Sequence, residues 1–315
     1  MRILANDGID AAGKRLLEEA GFEVDTNHIP QEELEKKLNN YDAITVRSAT
    51  KVRQSLIDAS PNIKAIGRGG VGMDNIDVDY ARSKGVAVLN TPAASSLSVA
   101  ELVFGHLLNG VRFLYDSNRN MPTKGNTNFA ELKKAYAKGV ELRGKTLGVV
   151  GFGRIGQETA KVALGLGMDV IYTDLFDGPK VLSLTFTGNT ALELPVKQVS
   201  FQELLKLSDF ITLHVPFLDK PAIGKEEFAL LKDGVGLVNA SRGGVIDELE
   251  LVKALDSGKV AFAALDVYDN EPAPRAEILS HPRISLTPHI GAATNEAQER
   301  IGVELATLLI EALKK

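Results

Sequence analysis

Short apolar runs alternate with segments of helical period from the amino terminus onward, and this rhythm constrains the fold more than any other feature of the sequence. A short apolar run suits a strand buried on both faces, and the segments between runs suit helices that return the chain to the same edge of a sheet. The sequence therefore predicts an α/β fold built on a doubly wound parallel sheet. The first predicted elements are strand Ile3–Asn6, helix Ala11–Ala20, strand Glu23–Thr26, helix Gln31–Leu38 and strand Ala43–Val46.

A glycine-rich turn follows the apolar run Thr146–Val150 and precedes a helical pattern. In this spacing the first glycine, Gly151, permits a tight turn, Gly153 lets the backbone approach a pyrophosphate, and Gly156 lets the helix pack closely on the strand. The N–H groups at the start of the helix then face the phosphates. The segment predicts a dinucleotide site with Arg154 in the first helical turn.

A second glycine run, Gly67–Gly72, fits the same spacing and also follows an apolar run. Asp74, Asp77 and Asp79 come next, and we place them in the first helical turns, where carboxylates compete with an anion for the positive helix end. We therefore assign the dinucleotide to Gly151–Gly156. The earlier run is expected to hold a small anion through its backbone amides.

Asp174 indicates which dinucleotide is bound. It follows the predicted strand Asp169–Thr173 at the position where a carboxylate binds both ribose hydroxyls of the adenosine half. A 2′-phosphate would meet this negative charge, and the next residues, 175–177, offer no arginine to accept it. The sequence favours NAD over NADP.

The composition excludes several classes of function. The 315 residues exceed a usual single domain, so two domains are expected. A net charge of −5 without any basic block argues against a nucleic-acid partner, and the absence of cysteine removes thiol catalysis and disulfides. No apolar run has the length of a membrane helix, and the amino terminus has the pattern of a strand rather than a leader peptide, so we expect a cytoplasmic protein without a membrane partner. No group of histidines and carboxylates has metal-ligand spacing, and no catalytic metal is expected.

Three segments at predicted strand ends carry polar groups, and such ends line the ligand crevice of a doubly wound sheet. Hydride transfer from a secondary alcohol needs a base for the hydroxyl proton, a cation for the substrate anion, and a carboxylate that orients the base. His289, Arg242 and Glu271 fit these three roles. Taken singly, the histidine could cap a helix, the arginine could pair at the surface, and the glutamate before proline could hold a turn. The three segments are Asn239–Gly244, Ala264–Pro272 and Thr287–Gly291.

Together with Asp42–Val52, Gly67–Asp77 and the tail Gly291–Thr294, these segments make the chain resemble the D-isomer-specific 2-hydroxyacid dehydrogenase family over almost its whole length. The resemblance implies two Rossmann-like domains. One is a discontinuous substrate domain of residues 1–95 and 290–315, and the other is an NAD-binding domain of residues 96–289. The resemblance also implies that Arg242, Glu271 and His289 are the catalytic residues.

The same resemblance implies binding residues and a substrate class. The positive charge of Arg47, Arg68 and Lys51 favours a phosphorylated 2-hydroxy acid, and another 2-hydroxy acid is the main alternative. A non-enzymatic NAD-sensing scaffold is a second alternative, because the family includes corepressors that keep the same catalytic residues. The residues implied to border NAD are Gly151, Gly153, Arg154, Ile155, Gly156, Asp174, His214, Ala240, Asp266 and Gly291. Those implied to face the substrate are Arg47, Arg68, Gly70, Val71 and Gly72.

Further expectations concern helices, a hairpin, assembly and regulation. A single long helix, Ser95–Asp116, has apolar positions on more than one face, which together with the resemblance predicts a homodimer. A polar stretch, Asn118–Asn128, follows it. Alternation around Gly188-Asn189 predicts a β-hairpin over Val181–Leu194 that serves as a lid, an oligomer edge or decoration. The last helix runs from Asn295 to Leu313, and we expect no additional regulatory domain of the kind found in longer family members.

Overall fold

The computed structural model describes residues 1–178, 180–186 and 190–314, and it divides into two compact units. Unit 1 comprises Met1–Ser98 and Ala292–Lys315, and unit 2 comprises Val99–Gly291. The strands are β1 (Arg2–Ala5), β2 (Glu23–Asp25), β3 (Ala43–Val46), β4 (Ala65–Arg68), β5 (Ala87–Asn90), β6 (Thr146–Val150), β7 (Asp169–Thr173), β8 (Val181–Thr185), β9 (Ala191–Pro195), β10 (Lys197–Gln198), β11 (Phe210–Leu213), β12 (Val235–Asn239), β13 (Val260–Leu265) and β14 (Ile284–Leu286).

The helices lie between these strands in the alternation that the apolar runs predict. A 3-10 helix, Leu38–Asn40, lies just before β3. The helices are α1 (Ala11–Glu19), α2 (Gln31–Lys37), α3 (Gln54–Asp58), α4 (Val78–Ser83), α5 (Ser96–Val111), α6 (Leu114–Lys124), α7 (Phe129–Ala135), α8 (Arg154–Gly165), α9 (Phe201–Leu207), α10 (Lys225–Leu230), α11 (Glu248–Asp256), α12 (Ala276–Ser280) and α13 (Asn295–Leu313).

Unit 1 contains a five-stranded parallel sheet in the order β2-β1-β3-β4-β5. Neighbouring residues of a strand point to opposite faces, so Ile3 packs with α13 on one face while Leu4 packs with Ile44 on the other. Helix α13 has the predicted bounds, and the Thr294 hydroxyl accepts the Ala297 N–H at 3.2 Å as its N-cap. The strand order reverses between β1 and β3, and the carboxyl ends of these strands therefore frame a crevice.

Unit 2 contains a seven-stranded parallel sheet in the order β10-β7-β6-β11-β12-β13-β14. Its order reverses between β6 and β11, which places the predicted dinucleotide turn at the switch point of the sheet. The two sheets confirm the predicted α/β class with doubly wound parallel sheets. Strands β8 and β9 pair antiparallel, as expected for the hairpin, and its predicted turn Gly188-Asn189 lies outside the described residues.

The prediction of one helix from Ser95 to Asp116 is wrong. Helix α5 ends at Val111, because Phe113 adopts a left-handed backbone with φ of 55° and the Val111 carbonyl accepts the Val140 N–H at 3.0 Å instead of a helical partner. The stretch Asn118–Asn128, expected to be a polar connection, lies mostly in α6. Within the described residues no single helix is long and apolar enough to cross a membrane, although α5 and α6, bent by 56°, reach that length and composition as a pair.

The helical placement of Asp74, Asp77 and Asp79 is wrong in part. Helix α4 begins only at Val78, so Asp74 precedes it, and Asp77 is its N-terminal boundary residue. The Asp77 carboxylate instead accepts the Gln54 N–H at 2.9 Å, and its own N–H donates to Val52 O at 3.0 Å. This pairing holds Asp77 outside the helix, and a turn closed by the Ile76 N–H and the Met73 carbonyl at 2.9 Å lies between the glycine run and Asp77.

Candidate active site

The glycine turn after β6 has the geometry that a dinucleotide requires. Gly151 has a φ of 87°, and a Cβ added there would lie 2.4 Å from the His214 carbonyl oxygen. A Cβ at Gly156 would lie 2.2 Å from the Gly151 carbonyl oxygen, so the start of α8 packs directly on the turn. No atom lies within 4 Å of a Cβ built on Gly153, which leaves the N-terminus of α8 open to a phosphate. Arg154 and Ile155 begin that helix.

Asp174 joins this turn to the end of β7. Its Oδ2 accepts the Phe152 N–H at 2.5 Å, and its Oδ1 accepts the Phe176 N–H at 3.2 Å. Beneath the turn, the Phe152 and Tyr172 rings stack with centroids 3.7 Å apart. The carboxylate is thus fixed and keeps lone pairs for two ribose hydroxyls, so the turn and Asp174 together fit the adenosine half of NAD.

His214 follows β11, beside the turn. Its Nε2 lies 3.0 Å from the Thr212 hydroxyl, while Nδ1 is buried without a hydrogen-bond partner among the described residues. Burial lowers the pKa of His214 to about 3, so the imidazole is neutral at physiological pH. The other implied neighbour of the cofactor on this side, Ala240, is half-buried at the end of β12.

Glu271 and His289 form the central pair of the site. His289 has a left-handed backbone with φ of 54°, and its Nδ1 lies 2.8 Å from Glu271 Oε2. Burial favours the neutral form of Glu271, but the His289 hydrogen bond and charge outweigh it, with help from the Tyr268 N–H and the Arg242 charge, and hold the pKa of Glu271 below its ordinary value. An ionised carboxylate only accepts hydrogen bonds, so Nδ1 carries the proton and Nε2 is left as a base.

Arg242 lies in the loop after β12, next to the segment that carries Glu271. A Cβ added at Gly243 would lie 1.8 Å from the Tyr268 carbonyl oxygen, so the two loops are in direct contact. The Asn239 amide donates to the Arg242 carbonyl at 2.8 Å, and one Nη of Arg242 donates to the Ser241 carbonyl at 2.7 Å. The cation is therefore held at the carboxyl end of the sheet, in the same unit as the acid–base pair.

Asp266 organises the loop that bears His289. This buried carboxylate accepts the Ile290 N–H and the Gly291 N–H, each at 2.8 Å, and the Thr287 hydroxyl at 2.6 Å. The resemblance implies that Asp266 and Gly291 border NAD, and the structure shows that they are bonded to each other. The protein uses this carboxylate to fix the backbone on both sides of His289.

Tyr268 is a residue of the site that sequence reasoning missed. Its N–H donates to Glu271 Oε1 at 3.0 Å, and its hydroxyl donates to the Thr287 carbonyl at 2.9 Å. Burial raises its pKa to about 12, so the hydroxyl stays a donor. A tyrosine two residues after Asp266, within a segment already rich in polar groups, was the available signal.

The predicted substrate residues lie in unit 1, at the carboxyl end of its sheet. Arg47 lines a cavity of about 290 Å³, together with Asp7 and Gly69. Arg68 ends β4, and its guanidinium lies over Gly70, where an added Cβ would be 1.6 Å from Nη1. The remaining two, Val71 and Gly72, lie in the loop after β4, where the Val71 carbonyl accepts the Asn90 amide at 2.7 Å.

Two other features of the described residues bear on the predictions. No group of three or more histidines and carboxylates lies close enough together to hold a metal ion. A cavity of about 420 Å³ lies at the amino end of the seven-stranded sheet, and it contains none of the predicted site residues. Its walls include Asn109, Phe113, Lys138, Phe210, Phe262 and Ser285.

Residues 104–291 match the family model of the D-isomer specific 2-hydroxyacid dehydrogenase NAD-binding domain. The chain belongs to the D-isomer-specific 2-hydroxyacid dehydrogenase family. It is an NAD-dependent oxidoreductase that acts on D-2-hydroxy acids, as the resemblance implied.

Named relatives diverge at the level of substrate. The chain is 42% identical to a hydroxypyruvate reductase of Thermotoga maritima over 99% of this chain and 98% of that one. It is also 40% identical to a D-3-phosphoglycerate dehydrogenase of Methanocaldococcus jannaschii. That match covers 100% of this chain but only 57% of the longer relative. Among solved structures, a glyoxylate reductase from Paecilomyes thermophila has a TM-score of 0.85 at 32% identity, covering 100% of this chain and 96% of that one.

Proposed function

We propose that this enzyme oxidises D-3-phosphoglycerate to 3-phosphohydroxypyruvate, the oxidation that opens serine biosynthesis. The observation that carries the proposal is a pair of arginines at the carboxyl end of the unit 1 sheet, where Arg47 lines a cavity of about 290 Å³ and Arg68 lies against the glycine loop. A guanidinium binds a phosphate or carboxylate through paired N–H groups. The Gly69 and Gly70 N–H groups already donate to the Val46 and Arg68 carbonyls, so the two guanidinium groups carry the proposal. Lys51 follows β3, as Arg47 does, and adds positive charge.

The acid–base pair acts on the hydroxyl at C2 of the substrate. NAD, when bound at the glycine turn, supplies the acceptor for the C2 hydride. His289 Nε2 takes the hydroxyl proton, because Glu271 holds the proton of the ring on Nδ1 at 2.8 Å. Glu271 also stabilises the imidazolium that this transfer forms, and Arg242 stabilises negative charge on the reacting oxygen and the substrate carboxylate.

Reduction of hydroxypyruvate or glyoxylate is the second candidate. The observation that favours it is the 42% identity to a hydroxypyruvate reductase across nearly the full length of both chains. The proton then moves in the opposite direction, from a charged His289 to the carbonyl oxygen, through the same contacts. A non-enzymatic NAD-sensing role requires the same fold and predicts no turnover.

A substrate panel with one variant separates these candidates. We expect the highest kcat/KM with D-3-phosphoglycerate and NAD, and a loss of about tenfold or more for that substrate in Arg47→Gln, since a charged hydrogen bond contributes about 1.5–3 kcal/mol. Hydroxypyruvate reduction should change little in the same variant. Arg82→Gln is the matched control because Arg82 lies on α4, away from the strand ends. Higher kcat/KM for unphosphorylated acids, unaffected by Arg47→Gln, supports the reductase, and NAD binding without turnover supports the sensing role.

We also propose that the enzyme is a homodimer formed through the segment after α5. None of the described residues of α6 and α7 is buried. The exposed residues include two large apolar side chains, Met121 at 42% exposure and Phe129 at 59%. Short helices without a buried face are marginal in water, so these two need a partner surface. Light scattering should give a dimer that Phe129→Ser weakens, while Phe217→Ser, at 60% exposed, serves as the control.

A further inference from the structure

A continuous chain of side-chain hydrogen bonds crosses unit 2 and ends at the loop of His289. The Asn109 amide lies 2.7 Å from the Ser285 hydroxyl, which lies 2.9 Å from His106 Nδ1. His106 Nε2 lies 2.9 Å from the Thr287 hydroxyl, which lies 2.6 Å from Asp266 Oδ1. His106 is 3% exposed, so these contacts are screened from water. The mechanism proposed above gives no role to His106 and Asn109 on α5 or to Ser285 on β14.

The groups at the two ends of this hydrogen-bond network determine which group donates in each of its hydrogen bonds. The Asp266 carboxylate only accepts, so the Thr287 hydroxyl donates to it and must accept from His106 Nε2–H. His106 Nδ1 then accepts from the Ser285 hydroxyl, whose oxygen accepts from the Asn109 amide. Burial lowers the pKa of His106, and the Asp266 charge opposes this effect as the smaller contribution. The ring is therefore neutral, with its proton on Nε2.

We propose that His106 is a positioning residue for the reaction: it holds Thr287 and Asp266 in the arrangement that fixes the backbone of His289. Asp266 binds the N–H groups of Ile290 and Gly291, and the Thr287 carbonyl is held by Tyr268, so an error at Thr287 is passed to both sides of His289. A base displaced by a fraction of an ångström loses alignment with the substrate hydroxyl. The inference rests on His289 as the base of the proposed function.

The first test compares catalysis with stability in two variants. His106→Leu leaves the buried Ser285 hydroxyl without an acceptor, and we expect a lower Tm together with a fall of about tenfold in kcat. The KM for NAD should stay within about twofold, because the glycine turn and Asp174 are untouched. In His106→Leu/Ser285→Val the buried hydroxyl is gone as well, and only the half-buried Asn109 amide loses its acceptor, so the Tm should recover in part while kcat stays low.

Ser208→Ala is the matched control. Ser208 is fully buried in unit 2 and donates to the Leu204 carbonyl at 2.7 Å, so the variant loses a buried hydrogen bond outside the chain. We expect a lower Tm with unchanged kcat. Recovery of kcat along with Tm in the double variant would show that His106 acts only on stability and would overturn the proposal. Rates are measured with whichever 2-hydroxy acid the wild type turns over, so a wrong substrate assignment does not affect the comparison.

A second test needs neither turnover nor a folded variant. The sequence has five histidines, and 15N-labelled imidazoles report their tautomers in the full-length wild-type protein. We expect a neutral ring with the proton on Nε2 for His106 at neutral pH. A neutral ring with its proton on Nδ1 would mean that Thr287 does not accept from His106, and it would overturn the proposal even if the enzyme is otherwise active.

Discussion

Replacing Asp266 by asparagine tests whether this one carboxylate organises the catalytic loop. The side chain accepts three hydrogen bonds, from the Thr287 hydroxyl at 2.6 Å and from the Ile290 and Gly291 N–H groups at 2.8 Å. An asparagine of the same shape has one oxygen and one NH2 group, so a donor must face a donor on one side.

The magnitude follows from these contacts. Losing one charge-assisted bond and leaving a buried N–H unpaired destabilises the protein by about 2–4 kcal/mol. This is less than the roughly 5–15 kcal/mol that a folded domain has, so Asp266→Asn should fold, with a Tm lower by roughly 4–16 °C. Because the loop on both sides of His289 loosens, kcat should fall by about tenfold or more.

Urea unfolding and initial rates of NADH formation measure the two effects. Asp233→Asn is the matched control, because the Asp233 side chain is 89% exposed and the charge change is the same. The control should change the free energy of unfolding by less than about 0.5 kcal/mol and leave kcat unchanged. If Asp266→Asn behaves like Asp233→Asn in both measurements, the three hydrogen bonds do not organise the loop and the reasoning is refuted.

Three further predictions concern the acid–base pair, the glycine turn and pH. Glu271→Gln should lower kcat by about a hundredfold without changing the Kd for NAD in a fluorescence titration, since the amide cannot stabilise the imidazolium; an unchanged kcat would contradict the assigned role. Gly156→Ala should raise the Kd for NAD at least tenfold, because its Cβ would lie 2.2 Å from a carbonyl oxygen of the turn, whereas Gly165→Ala in the same helix meets no atom within 4 Å and should bind NAD normally. The buried neutral His214 binds a proton only near pH 3, while the unfolded chain binds it near 6.5, so the free energy of unfolding should fall as the pH drops through that window, and His214→Asn should flatten the fall.

The sequence predicted the sheets and the dinucleotide turn because both depend on local chemistry. Apolar runs require strands buried on two faces, and the positions of Gly151 and Gly156 allow no side chain. The end of α5 at Val111 was not predictable in this way, since neither glycine nor proline stands at Arg112 or Phe113, where the backbone becomes left-handed. That break depends on the Val140 N–H, which reaches the helix from far along the chain.

Contacts between distant residues also account for what was missed at the site. The glycine spacing at Gly67–Gly72 suggested a helix directly after it, but the pairing of Asp77 with Val52 and Gln54 delays the start of α4 to Val78. The sequence predicted His289 and Glu271 by residue type, and the structure places them 2.8 Å apart. The polar segment after Asp266 offered a signal for Tyr268, but its contact with Glu271 was not predictable, because a hydrogen bond from a backbone N–H does not depend on residue type.

The acid–base pair, the cation beside it and the carboxylate that fixes their loop all belong to unit 2, whereas Arg47 and Arg68 belong to unit 1. Under the roles proposed above, changes at Arg47 and Arg68 would alter which acid is bound, while the contact between His289 and Glu271 lies within unit 2. Relatives that carry different substrate names at about the same identity, 42% and 40%, are what such a division would produce. With the roles proposed above, the bound acid can change between relatives of this fold while the residues of proton transfer stay the same.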